Sequence, residues 1–214
     1  MDSTAITAKA VRTPEETRRV LDAALEYARH GWALIPIGPD KRPHFDLLPK
    51  DKSGRPTWKP LRVRRATDAQ MRKWFEIEPN CNIALICGQV SGGMVVVDFD
   101  DQPPAGLPLP LSPRSLTARG EHFFLRSQVP VRTEVIWDGD RRIGEIRGGD
   151  GYVVVPPSTH PSGHIYAWAG CLSPSDLLWQ FADYQEWRGD CLASGHDLSA
   201  ISTSRDIPTS ALLS

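Results

Sequence analysis

Short apolar runs alternate with polar, glycine-rich or proline-rich connections along the chain, a pattern typical of an α/β protein. Thr13, Pro14 and Glu16 predict a helix start, because they supply a hydroxyl cap, a proline at the first helical position and a glutamate that can reach back to the cap. The apolar face that follows includes Val20 and predicts a helix that ends near Gly31.

Most of the remaining regular structure is predicted to be β-strand. The candidate strands are WALIPI, IALIC, MVVVDFD, HFFLR, RRIGEIR, YVVVPP and HIYAW. A second capped helix runs from Thr67 and Gln70 to about Phe75. The proline-rich stretch 101–114 is expected to be a loop or crossover, because proline cannot continue a helix or an inner strand.

The two ends of the chain are expected to differ from the middle. Ser173 and Pro174 predict a third helix, with its apolar side chains at Leu177, Leu178, Phe181 and Trp187. Residues 1–12 are expected to be flexible, and residues 189–214, which are rich in Ser, Thr and Asp, to form a flexible tail or linker. Residues 13–188 would then form one catalytic domain of two subdomains around one cleft.

Composition narrows the class of protein. The 214 residues, 40% hydrophobic and 24% charged, are ordinary for a globular domain. No apolar stretch approaches the roughly 20 residues that cross a bilayer, and the N-terminus lacks an apolar signal core. We therefore expect a cytoplasmic protein without a membrane partner. The four cysteines show no paired metal-binding spacing, so reduced thiols in or near a core are preferred and no structural zinc is expected.

Positive charge is concentrated in one segment, although the net charge is only −1. Residues 50–73 contain nine lysines and arginines against two aspartates. Such a segment suits contact with phosphates, and Trp58 and Trp74, which lie in it or directly after it, suit base stacking. The nucleic-acid-binding candidates are Trp58, Lys59, Arg62, Arg64 and Arg65. A solvated basic loop explains the same pattern equally well.

The sharpest chemical feature is a pair of carboxylates at the end of an apolar run. Asp98 and Asp100 are separated by one residue, so on a strand both would face the same side. Two such carboxylates repel each other unless a cation lies between them, which suits a divalent ion such as Mg²⁺. The alternative is that the strand simply enters a polar loop, which Asp101 would continue.

Three further segments carry candidate polar groups. Glu145 could complete a three-carboxylate metal site, with Arg147 facing the same cleft, if its strand lies beside the first; a cross-strand ion pair is the alternative. His122 opens an apolar strand after a glycine, where a histidine is more often structural than catalytic. The turn PPSTHPSG presents hydroxyl and imidazole groups, and turn chemistry alone would explain it.

In their order along the chain, four segments resemble the bifunctional primase-polymerase domain of the archaeo-eukaryotic primase superfamily, found on plasmids, phages and mobile elements. These are ALEYARHGWALIPIGPDKRP, NIALICGQVSGGMVVVDFD, TARGEHFFL and GEIRGGDGYVVVPPSTHPSGHIYAW. The resemblance covers roughly residues 20 to 170. It implies an α+β primase catalytic fold, with an RRM-like mixed sheet and an N-terminal α/β module.

The resemblance also implies roles for particular residues. The family's acidic positions fall on Asp98, Asp100 and Glu145, which would hold two Mg²⁺ or Mn²⁺ ions, and its histidine falls on His122, which would contact the triphosphate. The other nucleotide-binding candidates are Lys41, Arg119, Gly120, Arg147, Ser158 and His160. The family often has a serine where Gly120 stands, so one hydroxyl contact would be missing or made by a backbone amide.

The resemblance implies template-directed synthesis or extension of a primer by two-metal phosphoryl transfer. The expected partners are a single-stranded DNA template, a primer, nucleoside triphosphates and a helicase that is fused to or associated with the chain. Two alternatives stay open: a replication or defence module that binds nucleic acid or nucleotide without catalysis, and a metal-dependent phosphodiesterase.

Overall fold

The computed structural model describes residues 11–138, 140–149, 151–170, 181–196 and 198. Its helices and strands, in chain order, are α1 (Pro14–Arg29), β1 (Leu34–Ile37), α2 (Asp68–Ile77), β2 (Asn82–Ile86), β3 (Met94–Phe99), β4 (Arg114–Leu116), β5 (Glu121–Arg126), β6 (Glu134–Asp138), β7 (Arg141–Arg147), β8 (Tyr152–Val154), β9 (Ala167–Trp168) and α3 (Tyr184–Ala193). Short 3₁₀ helices occur at Phe45–Leu47, Lys59–Arg62 and Gln89–Ser91.

The strands form two sheets. A small sheet has the order β1-β2-β8, and a larger one has the order β6-β7-β3-β5-β4-β9. The expected α+β class is confirmed. One detail differs, because every pairing between these strands is antiparallel where a mixed sheet was expected. A turn as short as 117–120, between β4 and β5, can join only antiparallel neighbours, since parallel strands need a long crossover.

Alternate residues of β3 pack into two separate apolar cores, as the period of a strand requires. Val95, Val97 and Phe99 pack on the face that α3 covers. Met94 and Val96 pack on the opposite face, together with α1, α2 and the small sheet. The larger sheet is therefore covered on both faces. The C-terminal end of β3 lies between solvent and the layer formed by α1, α2 and the small sheet.

The first two helices begin where their caps predict. Thr13 accepts a hydrogen bond from the Glu16 amide at 3.2 Å, and the Glu16 carboxylate accepts one from the Thr13 amide at 2.8 Å. Thr67 and Gln70 form the same reciprocal pair at α2. Both capping boxes satisfy backbone donors that a helix start otherwise leaves open.

The third helix differs from its prediction. Ser173, Pro174, Leu177 and Leu178 lie outside the described residues, and Phe181 is not helical. Helix α3 begins at Tyr184 because the Asp183 carboxylate accepts hydrogen bonds from the Gln185 and Glu186 backbone amides, at 2.8 and 3.1 Å. It continues to Ala193, five residues into the expected 189–214 tail, and its Cys191 is buried in the core.

The N-terminal boundary also differs, because Arg12 is held in place rather than flexible. Its guanidinium donates hydrogen bonds to the Cys81 carbonyl oxygen at 2.6 Å and to Thr159 Oγ1 at 3.0 Å, and it also contacts Asn82. Arg12 therefore ties the start of α1 to β2 and to the turn after β8.

Cys81, Cys87 and Cys191 are buried, as the preferred interpretation of the cysteines expected, and Cys171 lies outside the described residues. Within the described ranges, no helix is long and apolar enough to span a bilayer.

A buried hydrogen-bonded pair joins α1 to the turn after β8 and to β9. The Tyr27 hydroxyl donates to the Pro156 carbonyl oxygen at 2.8 Å and accepts from Trp168 Nε1 at 2.9 Å. Burial raises the pKa of Tyr27 well above its ordinary value, so the hydroxyl keeps its proton.

We expect Tyr27→Phe to lower the free energy of unfolding by about 1–3 kcal/mol, because it removes two buried hydrogen bonds, the one accepted by the Pro156 carbonyl oxygen and the one donated by Trp168 Nε1. Chemical denaturation measures the change. Tyr152→Phe is the matched control, since its hydroxyl lies 3.5 Å from the Lys41 carbonyl oxygen and is exposed; its effect should stay within about 0.5 kcal/mol. Equal effects of the two variants would contradict the role of the buried pair.

Candidate active site

A row of polar side chains crosses four neighbouring strands of the larger sheet. Asp98 on β3 is the direct cross-strand partner of Glu145 on β7 and of His122 on β5. His122 is in turn the partner of Ser115 on β4. Directly opposed residues of antiparallel strands share one face, so all four side chains lie on the face opposite α3. The register therefore brings together segments that are distant in the sequence.

Cationic side chains neutralise the carboxylates of this row. His122 Nε2 lies 3.2 Å from Asp98 Oδ1. Arg147 bridges two acids, at 2.6 Å from Glu145 Oε2 and 3.7 Å from Asp98 Oδ2. Arg142 also bridges two acids, at 2.7 Å from Glu145 Oε1 and 3.6 Å from Asp100 Oδ2. The three acidic candidates thus belong to one ion-pair network.

A β-bulge explains how Arg142 reaches this network. The pairing of β6 with β7 shifts between Ile136 and Trp137, which leaves Ile143 as an extra residue. The bulge resets the alternation of side chains, so Ile143 and Ile146 both lie in the core on the α3 side while Arg142 and Glu145 meet.

The electrostatic surroundings favour the ionised form of Asp98. Burial alone would raise the pKa of this carboxyl, but the charge and hydrogen bond of His122, followed by Arg147 and Lys41, outweigh burial and hold the pKa below its ordinary value of 3.8. Asp98 is therefore a carboxylate at neutral pH.

The network opens into a small polar cleft of two connected chambers. One chamber, of about 250 Å³, is lined by both aspartates, Arg119, Arg142 and His160. The other, of about 310 Å³, is lined by Tyr152 and Thr133. The two share five lining residues, which are Lys41, Asp98, His122, Arg147 and Tyr166. Most of the nucleotide-binding candidates therefore surround Asp98.

Lys41 reaches the cleft from the turn after β1, on the N-terminal side. Its φ of 64° lies in the left-handed region, where a residue with a side chain is strained. Strain of this kind tends to occur at functional sites. His160 comes from the turn after β8, where Ser162 Oγ lies 2.8 Å from its Nδ1. Burial, followed by the charges of Lys41, His164 and Arg119, lowers the His160 pKa.

Two residues that the sequence suggested as nucleotide-binding, Ser158 and Gly120, are not available to a ligand. Ser158 is completely buried, and its hydroxyl accepts from the Ile83 amide and donates to the Ile83 carbonyl oxygen, both at 3.1 Å. It stabilises the turn rather than lining the cleft. The Gly120 amide donates to Thr117 Oγ1 at 3.0 Å, so it is already used. A Cβ at Gly120 would lie 1.9 Å from the Phe99 carbonyl oxygen, which explains why no serine stands there.

The candidates in the basic segment separate into two groups. Lys59 and Arg62 line a cleft at the opposite end of β3. Trp58 is half-buried, with its ring edge-on to Tyr152 at 5.5 Å and below the Arg62 guanidinium, so it is not an exposed stacking platform. Arg64 and Arg65 are exposed and line neither cleft, and Arg65 lies against Gly31 at the end of α1.

The donor chemistry of the network suits a hard divalent ion, because Asp98, Asp100 and Glu145 all offer carboxylate oxygens. In the described part of the chain, however, no three His, Cys, Asp or Glu side chains are already arranged to hold a metal ion. Arg142 and Arg147 lie between the carboxylates instead. An ion would have to compete with these arginines for the same oxygens.

Three residues of the site were missed at the sequence level. Arg142 stands in the same motif as Glu145, but only the bulge brings them together. Burial, followed by the Asp98 charge, raises the pKa of Tyr166 in the cleft wall to about 12. Ser115 Oγ and His122 Nδ1 are both buried without a hydrogen-bond partner in the described structure. Because Ser115 and His122 come from separate strands with apolar neighbours, no local sequence pattern predicts that they lie side by side.

Comparison with known families gives one match. The family model described as bifunctional DNA primase/polymerase, N-terminal, matches residues 24–178, which is more than half of the chain. This match confirms the resemblance seen in the four sequence segments. No curated protein matches the chain significantly.

We expect His122→Gln to raise the Asp98 pKa, because burial remains and the largest stabilising charge is lost. In the wild type the folded-state pKa is depressed, so Asp98 contributes stability above its unfolded pKa and loses it as the pH falls through the folded value. In the variant the higher folded-state pKa makes this contribution smaller, so less stability should be lost as the pH falls from about 7 to about 3.

Unfolding free energies measured from roughly pH 7 to pH 3 test this, alongside the carboxyl carbon shift of Asp98 in NMR titrations. His30→Gln is the control, because His30 contacts Glu26 at the end of α1 instead. An Asp98 titration that is unchanged in His122→Gln would show that the imidazole does not control this carboxyl.

Proposed function

This chain belongs to the bifunctional DNA primase/polymerase N-terminal family, and on that basis we propose that it is a template-directed nucleotidyltransferase. It joins nucleoside triphosphates on a single-stranded DNA template, as a primase, a DNA polymerase or both. The observation that carries the proposal is the row formed by Glu145, Asp98 and His122, which brings the family's acidic and histidine positions side by side across three strands.

In this proposal Asp98, Asp100 and Glu145 would hold two Mg²⁺ or Mn²⁺ ions. Bound there, the ions would supply activation of the primer hydroxyl and neutralisation of the charge on the leaving pyrophosphate. The low Asp98 pKa supports the assignment, because a ligand for a divalent ion must be ionised. When ions neutralise the carboxylates, Arg142 and Arg147 no longer need to do so.

The remaining basic side chains and imidazoles of the cleft then bind the triphosphate. His122, Lys41, Arg119, Arg147 and His160 all line the chamber beside Asp98. Their charges and N–H groups complement phosphate oxygens, and Arg can bind two of these oxygens at once. Catalysis is then positioning and charge neutralisation, so few side chains have to transfer protons.

We expect Asp98→Asn and Glu145→Gln each to reduce primer extension at least about 100-fold. Mutating a residue that only hydrogen-bonds to a metal ligand already lowers metal affinity or activity by about 10- to 100-fold, and these two residues would be ligands themselves. The assay uses a primed template, labelled nucleotides and Mg²⁺ or Mn²⁺. Asp138→Asn is the control, since Asp138 is an exposed carboxylate at the end of β6 and should keep wild-type activity. Full activity in both site variants would contradict the assignment.

A non-catalytic binding module is the second candidate, and the ion pairs of Arg142 and Arg147 favour it, since they neutralise the carboxylates without metal. It predicts that the wild type binds template but extends no primer under any metal condition.

The third candidate is a metal-dependent phosphodiesterase, and incubating a labelled strand with Mn²⁺ and without triphosphates tests it. A phosphodiesterase would cleave the strand, whereas a polymerase would leave it intact.

A further inference from the structure

A second cleft, of about 690 Å³, lies at the opposite end of β3 from the carboxylates. We call it the basic groove, and define it by Lys59, Arg62 and Arg132, which line it with the glycine-rich turn before β3 and with Val95 and Gly149. Val95 and Asp98 are three residues apart on β3, about 10 Å. The basic groove therefore opens close to the candidate active site but on a separate part of the surface.

The charges of the basic groove are not neutralised as those of the active cleft are. Lys59, Arg62 and Arg132 are exposed and come from two distant segments of the chain. Among the described residues, no carboxylate lines the groove or forms an ion pair with any of the three. Arg142 and Arg147, by contrast, each bridge two acids. The basic groove thus presents positive charge to solvent.

The groove also has apolar walls and one anchored cation. Val63 and Val129, which are 86% and 51% exposed, give the groove apolar surface beside its cations. Arg62 Nη2 donates a hydrogen bond to the Gly149 carbonyl oxygen at 3.0 Å, and its guanidinium lies 5.8 Å from the centre of the Trp58 ring. Cations combined with apolar surface suit phosphates that carry sugars and bases.

A wall of two aromatic residues joins the basic groove to the active cleft. Trp58 precedes Lys59 and packs edge-on against Tyr152, with the ring centres 5.5 Å apart. Tyr152 in turn lines the second chamber beside Asp98. Because Lys59 lines the groove and Tyr152 lines the chamber, this contact places the two clefts next to each other.

We propose that the basic groove binds the sugar–phosphate backbone of single-stranded nucleic acid and leads that strand to the active cleft, with Arg132 as a phosphate contact. This inference rests on the proposed function, because it assumes that the cleft acts on nucleotides. The proposal also divides the nucleic-acid-binding candidates of the basic segment into two pairs. Lys59 and Arg62 contact the strand, whereas Arg64 and Arg65 do not.

Two double variants test the proposal with the same loss of charge. Lys59→Gln with Arg132→Gln removes two groove cations, and Arg64→Gln with Arg65→Gln removes two exposed cations outside the groove. Anisotropy of a labelled oligothymidylate gives the dissociation constant across a range of salt concentrations. Groove variants should bind on the order of tenfold more weakly and lose about 1.4 from the salt slope, at about 0.7 per phosphate contact, and the control pair should change little.

Equal weakening by the two double variants would overturn the proposal, and so would a groove variant that loses binding of a free nucleoside triphosphate while it binds the oligonucleotide normally. Primer extension measured over a range of DNA concentrations, up to saturation, separates failure of the groove proposal from failure of the proposed function. The groove variant should raise the KM for DNA and keep kcat. A wild type that extends no primer but shows the predicted split in DNA affinity would overturn the proposed function alone.

Discussion

The site depends on how three carboxylates can lie together on, or directly after, two interior strands, β3 and β7, of the larger sheet. The register of β3 with β5 and β7 sets Asp98 between His122 and Glu145, and Asp100 follows one pleat later. Three carboxylates this close together would repel each other, and burial would disfavour their charged forms. Cations therefore have to share the site. In this structure Arg142, Arg147 and His122 supply them, and in the proposed enzyme divalent ions take over part of that role.

The same sheet produces two clefts of different electrostatic character. In the active cleft every acidic candidate is paired, so an incoming ion or triphosphate exchanges partners with groups that are already in position. In the basic groove the cations have no such partners among the described residues. Preorganised charge suits chemistry on a small ligand, whereas unpaired surface charge suits binding of a polyanion. In the proposed function, the active cleft would take the nucleoside triphosphate and the basic groove would take the DNA strand.

Local patterns in the sequence predicted much of this architecture. The capping residues located α1 and α2, and the alternation around Asp98 located β3, because both signals depend only on neighbouring residues. The grouping of Asp98, Glu145 and His122 came from the family resemblance. The approach of Arg142 could not be predicted, since it requires a bulge. Nor could the burial of Ser158, whose hydroxyl is taken by a strand 75 residues away in sequence.

The most direct measurement is the anomalous diffraction of a crystal soaked in Mn²⁺ with a non-hydrolysable nucleoside triphosphate. The account predicts manganese bound by oxygens of Asp98, Asp100 and Glu145, and Arg142 and Arg147 displaced from at least one carboxylate each. Density for the triphosphate with no manganese at these residues, and both arginines still bridging the acids, would contradict it.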